Sequence, residues 1–546
     1  MSLPKLDGQG QLFSTAALTG QVFAEDDRYR LFAERIYPLL VEARQEVEKA
    51  YCENNGRPGI EPVVLLGISV LQFLEGMPDR QAVEQLRYHV GWNLALNRTV
   101  GQEVFHPTVL VYFRQRLIDH ELSEVVFSTI LQALVKAGLV ERSGRQRLDS
   151  THMVGVVARM SRVENVRETL RLALKELDGQ SLSKPTWWES LWERYVCTKL
   201  DYQLSTAQLR QRMLQAGVEG LEVLNWAKNL EPAAAAGPQV KLLARVLEEN
   251  FEWTAGQAPV DRDCQPAGAV QNPHEPQAQW GTKGQGRQRK EHVGYKTQVA
   301  ESIPEQKLAK DEPTRAFVTG IVTQPATGSD LAGAELIEQQ QQENGLDKAA
   351  ELYVDAAYVS AQVLHQAQAD QREIIGPVKR SMVMEGRLSA EHFDVSIEQR
   401  QARCPAGHIS TRCTQYTDRS SEETKYRFEW IGLCQSCPRR AECFAKHIDH
   451  RSLEVGEHYM LLQQRRREQQ TEEFQKKTKT RNAIEGTQSE LVRVHGMRRA
   501  RYRGLAKVQW QLFMAAAACN TKRWLRRMIW EMKNGRSNGE PTLMPA

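Results

Sequence analysis

Three acidic side chains stand in settings where they could do chemistry: Asp149 in RQRLDSTHMVG, Asp355 in ELYVDAAYVS and Glu485 in RNAIEGTQSELVR. The first two follow short apolar runs that read as buried strands. The third lies in a long polar stretch of helical character with basic residues close behind it. A carboxylate leaving the end of a strand is placed to meet others across a fold. Three that converge would hold two divalent cations, which can activate an oxygen nucleophile and stabilise a leaving oxygen during phosphodiester cleavage and joining. A second donor set is sulfur. Cys434-x2-Cys437-x5-Cys443, with Cys404 upstream in CPAGH, offers four thiolates, enough for one tetrahedral zinc. His408 or Cys413 could replace one ligand, and an iron–sulfur cluster is the alternative occupant. The scattered Cys52, Cys197, Cys264 and Cys519 read as ordinary thiols.

The elements that must position these groups can be read from periodicity. Residues 28–140 carry apolar side chains at three and four spacing, with Pro/Gly punctuation, and predict a helical bundle. RQRLDSTHMVGVV predicts a strand carrying Asp149, and residues 160–250 return to helix. Polar, Gly-rich sequence from Gly256 to Gly294 reads as loop and includes Lys283, Arg287, Arg289 and Lys290. Those cations, with Lys296 beyond them, form a weak candidate for polyanion contact. Strands VGYKTQVAES and RAFVTGIVTQP, the helix DLAGAELIEQQQQEN, the strand ELYVDAAYV, the helix SAQVLHQAQAD and the strand EIIGPV follow. Alternating strands and helices predict a mixed α/β layer. From about Glu385 to Val455 short β-like runs surround the cysteines, and a long charged helix is predicted to begin near Glu457.

At 546 residues the chain is too long for one compact core. Its net charge is only +4, but residues 481–527 hold eleven Lys or Arg against two Glu. Local excess is what a polyanion feels. Arg498, Arg499, Arg501, Arg503 and Lys507 are interleaved with Gly496, Tyr502, Gly504 and Trp510, a composition that favours phosphate contact over a merely solvated helix face. Arg481, four residues before Glu485, is expected on the same helical face. MSLPKLDGQG lacks the basic head and apolar stretch of a secretory signal. The run Val63–Phe73 is far shorter than the roughly 20 residues needed to span a bilayer. The expectation is a cytoplasmic protein without a membrane partner.

LDSTH, YVDAAYVS and RNAIEGTQSELVRVHGMRRARYRGLAKVQWQ, preceded by a helical region with FHPTVLVYFRQRL, together resemble bacterial insertion-sequence transposases with a DDE catalytic core. The likeness runs over nearly the whole chain. It implies a ribonuclease-H-like α/β core in which a mixed sheet presents Asp149 and Asp355 and a later helix presents Glu485, all three as ligands to two Mg²⁺ or Mn²⁺ ions. The implied organisation is an all-α N-terminal domain for DNA binding or assembly (1–140) and a first part of the core (141–384) with a helical insertion at about 160–250. A cysteine-rich β insertion holding structural zinc (385–455), the last part of the core (456–535) and a tail (536–546) follow. Arg481, Arg493, Arg498, Arg499, Arg501, Arg503 and Lys507 are the expected DNA contacts. The implied partners are double-stranded DNA, as element ends bearing terminal inverted repeats and as target, and further copies of the chain in a homodimer or larger synaptic complex on the bacterial nucleoid. Relatives often carry a Tyr three residues before the Arg and a Lys seven after the Glu, where this chain has Thr478 and Val492. That departure bears on how a DNA end is held, not on the metal chemistry. His274 and Glu275 lie in NPHEPQAQWGTKG, which resembles a family segment, but no role follows for them. Two other readings are a transposase-derived DNA-binding protein without activity and a metal-dependent nuclease that cleaves without joining.

Overall fold

A computed structural model describes residues 2–4, 15–19, 22–52, 56, 58–180, 183–200, 203–230, 235–254, 259–283, 289–305, 308–309, 311–379, 387–419, 422–444 and 448–534. Arg287 and the 536–546 tail lie outside the described residues. Six strands form the principal sheet: β1 (Arg145–Val154), β4 (Gln279–Lys283), β5 (Lys290–Ser302), β6 (Val318–Pro325), β7 (Glu351–Tyr353) and β8 (Glu373–Ile375). Two short strands, β2 (Phe251–Glu252) and β3 (Val260–Asp261), pair separately. β5 is the hub. It runs antiparallel to β1 along one side, while β4 and then β6 pair antiparallel with successive halves of its other side. β7 is parallel to β1, and β8 is parallel to β7. Parallel neighbours need crossover connections. Here the helices Asp330–Glu343 and Ala361–Ala369 precede β7 and β8, each opened by a serine cap, Ser329 on the Ala332 N–H and Ser360 on the Val363 N–H.

Alternation along the strands sends side chains to two different cores. Leu148, Ala300, Leu352 and Val354 pack with Ile337 and Leu364 of the crossover helices on one face. Met153, Tyr295 and Val299 point to the other face, where they join the C-terminal helix Leu505–Lys533 and the N-terminal helices Pro62–Glu75 and Val125–Lys136 in one continuous cluster. The run Ala515–Ala518 is fully buried in that C-terminal helix, so its backbone can approach both the sheet and the N-terminal helices closely. The helices Arg162–Asp178, Thr206–Leu230 and Pro238–Asn250 have a core of their own, with Leu170, Trp188 and Phe251. The cysteine-rich region forms strands β9 (Asp394–Ser396), β10 (Gln401–Arg403), β11 (Arg412–Thr417), β12 (Thr424–Glu429) and β13 (Ser452–Gly456) around Phe393, Phe428 and Trp430.

Three local expectations differ from the structure. The loop predicted for 256–294 contains β3, β4 and the start of β5; β4 is a polar edge strand that pairs with β5 alone among the strands of its sheet and leaves Thr282 and Lys283 exposed. The strand carrying Asp355 ends at Tyr353, so the carboxylate lies just beyond it. The long charged helix expected from near Glu457 is shorter than that, Tyr459–Glu468, and Glu472–Thr478, a 3-10 turn Lys479–Ala483 and Ile484–Arg493 follow it, so a following helix holds Glu485. Thr471 starts the second piece by accepting the Phe474 N–H, a local bond that competes with continued helix. Among the described residues no single helix is long and apolar enough to cross a membrane.

Candidate active site

β1 and β7 are parallel with Arg147 opposite Tyr353. Two residues further along each strand come Asp149 and Asp355, which by period-two alternation face the same side as that pair. The register therefore sets Asp149, in the middle of β1, beside Asp355, just past the end of β7, and the charge of Asp355 acts on Asp149. Burial pushes the Asp149 carboxyl above the usual range, Arg481 and the Ser150 N–H pull it back, and Asp355 adds a further upward push. Asp149 Oδ1 accepts the Ser150 N–H at 2.8 Å, and Oδ2 receives Arg481 Nη1 at 2.9 Å. Asp355 Oδ1 accepts the Ala357 N–H at 2.7 Å, an Asx turn that fixes the side chain where the strand stops. Lys283, at the end of β4, is close enough to act on Asp149 as well. These are hard oxygen donors in a partly buried setting, the donor type that a magnesium-type ion takes.

Glu485 is in the first turn of Ile484–Arg493. Ile484, Thr487 and Leu491 bury one side of that helix and leave Glu485 exposed, without a hydrogen bond or ion pair among the described residues. Acid in a first turn also suits the helix dipole. Arg481 does not share an α-helical face with it as expected, because it lies in the preceding 3-10 turn and reaches Asp149 instead. The structure thus brings Asp149, Asp355 and Arg481 together and places Glu485 on the solvent side of the adjoining helix.

The basic segment divides into outward and inward side chains. Arg493, Arg498, Arg499, Arg503 and Lys507 are exposed, and the backbone of 498–500 lies along the end of β1, with the Ala500 N–H on the Val154 carbonyl at 2.8 Å. Arg501 turns inward over the Phe73 ring at 4.7 Å and donates to the Met77 carbonyl. Tyr502 and Trp510 pack edge to face under Arg114, and Trp510 is buried. The aromatic residues read as an aid to nucleic-acid contact are therefore core, since the turn at Gly504 (φ 94°) folds the segment back on the N-terminal helices. Further along, Lys522 and Arg523 are paired with Glu490, and Arg527 with Glu531, so the basic excess facing solvent is smaller than the count in the sequence.

The four clustered cysteines converge. Cys404, Cys434, Cys437 and Cys443 line one small cavity together with His408 and carry no disulfide. Tight turns do this: the Gly407 N–H bonds the Cys404 carbonyl, and the Arg440 N–H bonds the Cys437 carbonyl. Burial raises the Cys434 and Cys443 thiols, and the other thiols raise them further, a repulsion between thiolates that a bound cation would relieve. Cys413, on β11, does not line the cavity.

The roles of other groups were not legible in the sequence. Glu275 is buried, with Oε2 receiving the N–H groups of Val156 and Val157 at 2.9 and 3.0 Å and Oε1 the Tyr295 hydroxyl at 2.8 Å; it ties down the chain after β1. Glu490, His495 and Cys519 bring ligand-type atoms within 4.8 Å of one another. Both Glu490 oxygens are bonded, to Lys522 and to Arg523, and these cations hold its pKa down to about 2 against the opposing effect of burial. The positive charge that a metal would bring is therefore already supplied by side chains.

A family model described as a transposase DDE domain matches residues 403–525, and one described as a transposase domain (DUF772) matches residues 19–116. The first match takes in the four cysteines, Arg481, Glu485 and the basic segment, while Asp149 and Asp355 lie between the two matches. No curated protein and no solved structure matches the chain. The two transposase matches, one toward each end of the chain, are together consistent with an insertion-sequence DDE transposase.

Proposed function

We propose that this transposase cuts the ends of its own element in double-stranded DNA and joins the freed 3′-hydroxyl to target DNA, with Asp149, Asp355 and Glu485 as the ligands of two divalent ions. The observation that carries the reading is the placement of Asp149 on β1 beside Asp355, just past the end of the neighbouring parallel strand β7, with Arg481 tying the Glu485 segment to Asp149. A ribonuclease-H-like core is supported by the strand order β6-β5-β1-β7-β8, three antiparallel strands followed by two parallel to β1.

Magnesium ions, when bound, would supply a nucleophilic oxygen at neutral pH and neutralise charge on the leaving oxygen. The protein's own work is positional. Asp149 and Asp355 are held by the Ser150 and Ala357 N–H groups, so neither needs reorienting to receive a cation. Arg481 balances Asp149 in the resting protein and offers a guanidinium beside the site to a DNA phosphate. Arg493, Arg498, Arg499, Arg503 and Lys507 offer exposed positive charge to the DNA backbone. Arg501 serves the same surface only indirectly, by fixing the turn that presents its neighbours. The convergent thiols of Cys404, Cys434, Cys437 and Cys443 suit a structural zinc. Acting on two ends calls for at least two copies of the chain in a synaptic complex.

The test is incubation of purified protein with Mg²⁺ and DNA carrying the element's ends. Strand-transfer products that disappear in Asp149→Asn, Asp355→Asn and Glu485→Gln proteins are the expected result. Products undiminished in all three would refute the site; cleavage without joining would move the reading to a nuclease.

A further inference from the structure

The sheet and the glutamate-bearing helix are joined by a buried ionic relay that neither transposase match nor the carboxylate site explains. Glu301, near the end of β5, is fully buried. Its Oε1 receives Arg147 Nε at 2.5 Å from the opposed position on β1, and its Oε2 receives the Thr487 hydroxyl and, at 3.4 Å, Arg523 Nη1. Arg523 reaches from the C-terminal helix. Its Nη2 donates to the Thr487 hydroxyl at 2.7 Å, its Nη1 to the Ala316 carbonyl at 2.7 Å and its Nε to Glu490 at 3.0 Å. Arg147 uses its remaining fork to donate Nη1 to the Thr480 carbonyl at 3.0 Å. A bulge in the pairing of β5 with β6 falls at Ala300/Glu301, the kind of irregularity that re-aims a side chain.

The relay touches the glutamate segment at two points on either side of Glu485. One is the Thr480 carbonyl, next to Arg481 and its Asp149 partner; the other is the Thr487 hydroxyl. A span clamped at both ends has few ways to slide or turn against β1. Stability alone does not require such a device, because well-packed apolar residues of similar volume are usually as stabilising as a buried ion network. What the network adds is direction, since hydrogen bonds to named acceptors on the sheet and on the glutamate segment fix the two relative to each other.

We propose that Glu301 and Arg147 are positioning residues that set the Glu485 segment in register with the strand bearing Asp149. The proposal rests on the reading that Asp149 and Glu485 belong to one metal site. Glu301 and Arg147 act through Thr480 and Thr487 and touch no reacting atom.

The experiment uses the full-length protein and two variants, Arg147→Lys and Glu301→Gln. Arg147→Lys is the mild one, since it keeps charge beside Glu301 and removes the fork that reaches the Thr480 carbonyl. Amide hydrogen exchange without metal should be faster by about tenfold over 479–487 in Arg147→Lys, the equivalent of one lost charged hydrogen bond, with the helices of 162–250 unchanged. Mn²⁺ titration followed by electron spin resonance should show a midpoint several-fold higher, and Glu301→Gln should shift it further in the same direction. Thermal melting identifies any variant that has lost its fold. Exchange over 479–487 as in the wild type, or acceleration spread evenly over the whole chain, would overturn the positioning role. So would faster local exchange with an unmoved Mn²⁺ midpoint. If the wild type shows no Mn²⁺ binding that Asp149→Asn removes, the functional reading itself fails and the positioning role falls with it.

Discussion

The carboxylate site and the cysteine site are both candidate metal centres, and they are built in opposite ways. The carboxylates come from distant parts of the chain and are held by the sheet, by backbone N–H groups and by Arg481. The thiols come from one stretch of turns, and the charges that most directly raise Cys434 and Cys443 include those of their own neighbours. A site placed by a sheet is organised before any ion arrives. A site placed by turns would gain its order from a bound ion, and the cysteine-rich region, with its modest core, would draw stability from it. Loss of metal should therefore remove activity at the first and folding at the second.

The sharpest way to break this contrast is substitution at the carboxylates. Asp149→Asn and Asp355→Asn should each lower DNA cleavage by roughly a thousandfold, about 4 kcal/mol of transition-state stabilisation. Their melting temperatures should be nearly unchanged; a large drop would mean that the site is not independently organised. Next in size is Cys434→Ser or strong chelation, expected to cost several kcal/mol of local stability. Proteolysis confined to 388–456 and a loss of bound zinc would be the readouts, and a metal-free protein as resistant as the untreated one would refute the zinc role.

A smaller effect distinguishes the two sites by pH. Because the Asp149 pKa is raised, the folded protein holds that proton more tightly than the unfolded chain does. The cost of ionising it is absent below the ordinary aspartate value and grows as pH rises through the raised one. Denaturant melts in chelator should therefore show stability falling over that window, and Asp149→Asn should flatten the slope. A slope unaltered by the substitution would assign the effect elsewhere. At the cysteine site the raised thiols of Cys434 and Cys443 must lose protons to bind metal, so zinc affinity should fall as pH is lowered. Smallest of all, Arg499→Ala or Lys507→Ala should weaken DNA binding uniformly across sequences and lower the salt slope by about one. Arg501→Ala should instead lower thermal stability, because its guanidinium is spent on Phe73 and Met77.

Local pattern carried much of this. Strand periodicity located β1, β5, β6, β7 and β8 in outline, and the two-residue cysteine spacing marked the thiol cluster. Pattern failed at β4, whose polar residues look like loop because an edge strand needs no apolar face outward. It failed also at Tyr502 and Trp510, where alternating basic and aromatic residues describe a nucleic-acid surface and a folded-back core segment equally well. Arg481 was singled out for the right neighbourhood by the wrong geometry, since a 3-10 turn, not an α-helical face, aims it at Asp149.

By itself the sequence determined which side chains could hold metal and which segments carry them, because ligand chemistry and strand or helix period are properties of residues and their spacing. Only the tertiary structure decided that Asp149 stands beside Asp355, that Arg481 pairs with the first of them, and that Glu301 and Arg147 clamp the segment bearing Glu485. Those relations depend on sheet order, register and the burial of charge among partners far apart in the chain, and no local pattern encodes them.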